Sequence, residues 1–274
     1  MRRIVFYAGM LLLFIGCEDV VDVDTPSEPP RLIVDALIRV DADAPLLLLR
    51  VNVSLSSSFF EPIPVASLQD ISITNLDNNT VVTLTEESPG SGTYGRLVDT
   101  SFVLEGELLL QLTHEGQQYT ATARFVPSVP IGSLEQKDGT LFDGDETEIE
   151  ITFTDVPNRD DFYVFDFDFN EFLVTEDEFY QGQEFVFSYF YDSDLQIGQQ
   201  VEISLLGADR SFFNYMDLLI EQSGDNFGPF ATPVATVRGN IITSEGTTNV
   251  ANPNNFALGY FAVVEENTAT IIIE

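Results

Sequence analysis

The sequence predicts a mainly β protein: an N-terminal immunoglobulin-like β-sandwich followed by a second β-rich domain with one amphipathic helix. Three observations predict it. From Arg31 onward, apolar and polar residues alternate with period two in short runs. Turn-forming clusters of Gly, Pro, Asn, Asp and Ser separate those runs. One segment alone, 209–222, shifts to helical spacing. Composition agrees: 23 Phe and 9 Tyr against no Trp suit pleated, half-buried surfaces, and 44% hydrophobic residues are enough to fold. A length of 274 residues suits one large or two modest domains.

The chain opens with Met1-Arg2-Arg3, an apolar run from Ile4 to Ile15, and Gly16-Cys17. A basic start and a short apolar stretch are the pattern of a secretory signal, so residues 1–16 are expected to be a signal peptide. Twelve apolar residues fall short of the roughly 20 that a spanning helix needs. Phe14-Ile15-Gly16-Cys17 resembles a bacterial lipobox, with Phe14 where Leu is usual. Cys17, the only cysteine, is then the lipid attachment site and carries acyl chains, palmitate among them. Two or more chains anchor stably, at about 0.8 kcal/mol per buried CH₂. With one cysteine no internal disulfide forms. Residues 17–30 read as a lipidated tether, acidic over Glu18 to Asp24 and Pro-rich over Thr25 to Pro30. Its acids resemble the export signal of surface lipoproteins, and they equally suit a solvated spacer.

The sandwich is expected over 31–126. Leu32 to Val40 and Leu46 to Leu55 are the first strands. Ile71 to Leu76 and Val81 to Thr85 form a hairpin around Asp77-Asn78-Asn79. Ser88 to Gly92 is a turn. Leu108 to Thr113 and Tyr119 to Phe125 pair around His114-Glu115-Gly116-Gln117. Pro127 to Gly132 breaks the pattern and marks the boundary of a second domain, 127–274. There Glu148 to Phe153, Phe165 to Asn170, Phe185 to Tyr191 and Val201 to Leu205 alternate, with rings expected in the core and carboxylates in water. In 209–222, Phe212, Phe213, Met216, Leu219 and Ile220 fall on one helical face, with Asp209 or Ser211 to cap and Gly224 to end it. That face should pack on the second sheet. Strands Val234 to Ile242, Phe256 to Val264 and Thr270 to Glu274 complete the expected tail.

Several of these segments together resemble a known family. They are Cys17-Glu18-Asp19-Val20-Val21-Asp22, Pro30-Arg31-Leu32-Ile33-Val34 and Phe212-Phe213-Asn214-Tyr215. To them are added Asn226 to Val234, Gly239-Asn240-Ile241 and Ala257-Leu258-Gly259-Tyr260-Phe261. The chain resembles, over nearly its whole length, a family of Bacteroidota lipoproteins defined as a domain of unknown function (four-two-four-nine). Gly228 is inserted where the family pattern runs Asn-Pro-Phe. The resemblance implies an outer-membrane lipoprotein and association with TonB-dependent transporters.

Little in the sequence speaks for catalysis. His114 is the only histidine and falls in a turn, without the second His of a zinc helix. No phosphate loop, nucleophile elbow or dinucleotide fingerprint is present. Forty-five acidic residues make close carboxylate pairs commonplace. The remaining site expectation is calcium in loop acids, led by Asp143, Asp145 and Glu146, with Asp192, Asp194 and the Asp155–Asp161 loop including Asn158 as further candidates. A net charge of −34 excludes nucleic acid as a partner, and suits either solubility in salty surroundings or a basic neighbour. The expected function is a non-catalytic accessory or ligand-capture subunit of a TonB-dependent transporter at the cell surface. The alternative is a self-standing structural or adhesive module stiffened by calcium.

Overall fold

A computed structural model describes residues 29–58, 61–139, 146–191, 195–223, 235–243 and 256–274. The fold is mainly β with one long helix. Its strands are β1 (Leu32–Val40), β2 (Leu46–Leu55), β3 (Asp70–Asn75), β4 (Thr80–Thr83), β5 (Thr85–Glu86), β6 (Thr93–Asp99), β7 (Glu107–His114), β8 (Gln117–Val126), β9 (Ile131–Lys137), β10 (Thr147–Thr154), β11 (Phe162–Asp166), β12 (Phe172–Glu176), β13 (Glu184–Tyr191), β14 (Gln200–Ala208), β15 (Ile242–Thr243) and β16 (Leu258–Ile272). A short helix α1 (Ser101–Leu104) lies between β6 and β7, and α2 (Arg210–Ser223) follows β14. Among the described residues, no helix is long and apolar enough to cross a membrane.

Period two has its expected consequence. In β1 the residues Leu32, Val34, Ala36, Ile38 and Val40 are buried, and in β2 Leu47, Leu49, Val51 and Val53 are buried. Strand order β4-β3-β7-β8-β16-β1-β2-β6-β5 wraps these faces, with Ile71, Ile73, Leu108, Leu110 and Leu112, around one core. The hairpin of β7 and β8 turns at Glu115 (φ 48) and Gly116 (φ 79), both left-handed, as a two-residue turn of this kind requires.

The tail differs from the expectation. Phe256 to Val264 and Thr270 to Glu274 are not separate strands: Leu258–Ile272 is continuous. Its first half runs parallel to β1, and its second half pairs antiparallel with β14. One long strand thus joins the first core to the second, and β15 from the tail adds to β8. The sandwich begun before Pro127 is completed by strands from beyond it. Val234 to Ile242 is not a strand over its described part, which forms only β15, Ile242–Thr243. From this segment the side chain of Asn240 serves the backbone of β16 instead. Asn240 Nδ2 donates to the Phe261 carbonyl and the Phe261 N–H donates to Asn240 Oδ1, both at 2.8 Å, as a neighbouring strand would.

The second layer pair sets β13-β10-β9 against β11, β14 and the end of β16. Between them lie Ile149, Ile151, Phe153, Tyr163, Phe165, Phe167, Ile203 and Leu205. Phe165–Asn170 is not one strand. The strand ends at Asp166, and Asp168, Phe169 and Asn170 all take positive φ. Phe165 and Phe167 are buried as expected, but Phe169 turns out to solvent. Strands β6, β9 and β12 have no counterpart in the period-two reading, because none of them alternates cleanly between buried and exposed positions.

Helix α2 starts where the sequence places it. The Asp209 carboxylate accepts from the Phe212 N–H at 2.7 Å, satisfying a donor the first turn leaves open. Phe212 and Met216 are buried against Phe162, Val164, Leu206 and Ala262 on the outer face of the second sheet. Burial of each contributes about 1.5–3 kcal/mol. Tyr163, Val164 and Phe165 are therefore covered on both faces of β11, by the second core and by α2.

Candidate functional site

Three carboxylates converge under the loops at one end of the second core. Asp155 follows β10, Asp161 precedes β11, and Asp177 opens the one-turn 3-10 helix Asp177–Phe179 after β12. All three are buried, and one oxygen of each lies within 4.8 Å of the others. The strand pairing fixes this: β11 and β12 put Phe162 opposite Glu176, so the residues next to this pair, Asp161 and Asp177, meet. Their backbones lock, with the Asp177 N–H donating to the Asp161 carbonyl at 3.1 Å and the Asp161 N–H to Asp177 Oδ2 at 3.0 Å.

Like charges this close repel. At an effective dielectric of about 20, each unit pair at this spacing costs about 3.5 kcal/mol. Four groups offset it. The Tyr163 hydroxyl lies 2.6 Å from Asp155 Oδ1 and 3.2 Å from Asp161 Oδ2. The Gly182 N–H donates to Asp155 Oδ2 at 2.7 Å. Arg159 Nε donates to Asp161 Oδ1 in an ion pair. Gln181 Nε2 reaches Asp177 Oδ2 at 3.4 Å. Burial raises the Asp161 pKa, against the lowering by the Arg159 guanidinium, and the Asp155 charge adds to the rise. Burial, together with donation to Asp155, also pushes the Tyr163 phenol well up. Tyr163 has a single proton, so at 2.6 Å it serves Asp155.

Chemically, three carboxylate oxygens converging this closely offer ligands to a hard cation. Calcium takes oxygens at about 2.3–2.6 Å, so oxygens on opposite sides of one ion stand about 5 Å apart, which matches the spread here. Arg159 occupies part of that electrostatic role already. Beside the cluster, Asp177 also lines an open depression of 430 Å³ with Asp160, Glu176, Glu178 and Gln181. On its wall the Arg210 guanidinium sits 4.6 Å over the Phe162 ring.

Among the expected site residues, Cys17, Asp143, Asp145, Asp192 and Asp194 lie outside the described residues. Glu146 is half-buried just ahead of β10. The Asp155–Asp161 loop does supply two members of the cluster, and Asn158 bends it with a left-handed φ of 64. Asp177 has no distinguishing signal: it stands in the run Glu176-Asp177-Glu178, one acidic turn among many. His114 rests in the β7–β8 hairpin with Nδ1 2.9 Å from the Ser67 carbonyl oxygen.

The family-bearing segments that are described have structural work. Gly239-Asn240-Ile241 and Ala257 to Phe261 lie against each other through the Asn240–Phe261 pair. Gly259, at φ 94, passes so close to Val34 that a Cβ there would fall 2.0 Å from its carbonyl oxygen. A comparison with curated proteins found no match. The family model described as Domain of unknown function (DUF4249) matches residues 18–270, and the chain belongs to that family.

Proposed function

We propose that the protein is an outer-membrane, surface-exposed lipoprotein, anchored through Cys17, that acts as a non-catalytic accessory or ligand-capture subunit of a TonB-dependent envelope transporter. The observation that carries this reading is how the tether joins the fold. Pro29 and Pro30 lead directly into β1, which is flanked by β2 and β16 at the middle of the sheet, so an anchor at Cys17 would hold the whole sandwich at the bilayer by a central strand. A cleft of 510 Å³ opens beside that junction, lined by Pro30, Arg31, His114, Tyr119 and Phe256, where a neighbour in the membrane plane would reach it. The lipobox-like Phe14 to Cys17 and the family match opening at residue 18 support the same placement. The engagement of the sheltered carboxylates by Tyr163, Arg159 and Gly182 supports the non-catalytic part of this reading. Gentle detergent extraction and pull-down of the native protein should bring a β-barrel transporter in stoichiometric amount, and Cys17→Ser should lose it. A lone protein, under conditions that preserve other barrel complexes, would refute the reading.

A second reading, a self-standing structural or adhesive module stiffened by calcium, is favoured by the Asp155–Asp161–Asp177 cluster. It expects calcium to raise the thermal stability of chelator-stripped protein, by about 2.7 kcal/mol at a hundredfold excess over Kd. No heat of binding at millimolar calcium would end it.

A further inference from the structure

Strand β2 ends at Leu55, across from Leu32 at the start of β1, so the chain leaves β2 at the end of the sandwich where the tether enters. The Ser56 N–H donates to the Arg31 carbonyl at 2.8 Å, and the Arg31 N–H donates to Ser56 Oγ at 2.9 Å. The Leu55 N–H donates to the Pro64 carbonyl at 2.8 Å, and Val65 bridges to Ser54. The run Pro62-Ile63-Pro64-Val65 is therefore pinned beside the root of the tether. All four residues are exposed, Ile63 by 69% and Val65 by 50%. Among the described residues, no other exposed apolar run is longer than two.

Apolar residues exposed singly are ordinary, but a continuous run of this length in water marks a contact. Pro62 and Pro64 carry no N–H, so the run leaves few donors unpaired in an apolar medium and cannot extend a partner's sheet along its length. Their rings also fix φ, so little chain entropy is lost on seating. A chain of net −34 is not drawn to anionic lipid, and on the neighbouring cleft Arg31 and Glu115 offset each other. Glu61, exposed at the head of the run, keeps it out of the hydrocarbon. A shallow seat among neutral headgroups fits these features together. Cys17 to Pro30 spans at most about 45 Å when extended, so a lipid on Cys17 holds the run near one bilayer. A contact too weak to recruit the chain by itself is then intramolecular and forms readily.

We infer that Pro62–Val65 is a second membrane contact, a rigid apolar loop that seats in the headgroup region of the bilayer holding the lipid on Cys17. The inference rests on the lipoprotein reading proposed above, though not on its transporter part. The chain has no Trp, so Ile63→Trp places a sole reporter on the run. Leu97→Trp is the control: Leu97 is 58% exposed and pairs with Leu48, about 23 Å along β2 from Leu55. Each full-length acylated variant is reconstituted into phosphatidylcholine vesicles whose acyl chains are brominated near the headgroup, and flotation and Trp emission are read together. Both variants should float. Emission of Ile63→Trp should move to the blue and be quenched several-fold more than that of Leu97→Trp. Floating chains whose two reporters are quenched alike overturn the inference and leave the anchor standing. Chains that stay at the bottom of the gradient overturn the lipoprotein reading and this inference with it. A blue shift of Ile63→Trp that appears only once a β-barrel is reconstituted alongside gives the run to a protein partner and overturns the lipid contact.

Discussion

Tyr163→Phe removes one oxygen from the centre of the carboxylate cluster and leaves the ring where it is. Tyr163 is fully buried, and its hydroxyl is 2.6 Å from Asp155 Oδ1. A hydrogen bond to a charged group contributes about 1.5–3 kcal/mol, and the deserted oxygen stays buried, so the loss should be about 2–3 kcal/mol. At about 2–4 °C per kcal/mol for a domain of this size, the melting temperature should fall by about 4–12 °C. Tyr191→Phe is the matched control. That ring is also fully buried, but its hydroxyl donates to a neutral acceptor, the Phe167 carbonyl, at 3.0 Å. It should cost about 0.5–1.5 kcal/mol. Calorimetry and near-ultraviolet circular dichroism at pH 7 on wild type and both variants decide the matter. If Tyr163→Phe melts within about 1 °C of wild type, or no lower than Tyr191→Phe, the hydroxyl does not hold the acids together and the account of the cluster is wrong.

Three further outcomes are expected. Asp161 has a folded pKa above its unfolded value of about 3.9, so the folded state takes up a proton as pH falls through that window and this residue's burden on stability is relieved. In urea unfolding between pH 7 and 4, wild type should gain on Asp161→Asn as pH falls, whereas a constant gap would place the titration elsewhere. Gly259→Ala forces a Cβ into the Val34 carbonyl at a left-handed φ and should cost about 3 kcal/mol or more, seen as a lowered urea midpoint. Arg39→Met keeps the stem but removes the guanidinium that pairs with Asp166 of β11 at 2.6 Å and Glu266 of β16 at 3.0 Å. The loss should be about 1–2 kcal/mol and should shrink in 1 M salt, where screening acts over about 3 Å.

Local pattern determined much of this protein. Alternation alone placed β1, β2, β7, β8, β10 and β13 to within a residue or two, because each has one face on a core and one toward water. Spacing and an Asp cap placed α2, and the residues of six segments were enough to recognise the family. Alternation could not place β12 or the end of β11, since a strand covered on both faces, or exposed on most of one, loses its period. Only the tertiary structure decided that β16 is a single strand serving two cores, because pairing with β1, more than two hundred residues away, leaves no mark in either segment's own pattern. The cluster has the same origin. The Asp155–Asp161 loop stands out in the sequence as a run of loop acids, but Asp177 is one acid among 45 and nothing near it in the chain sets it apart. The three become a site because the β11–β12 register brings two of them side by side and the loop after β10 folds the third beneath Tyr163, out of reach of water.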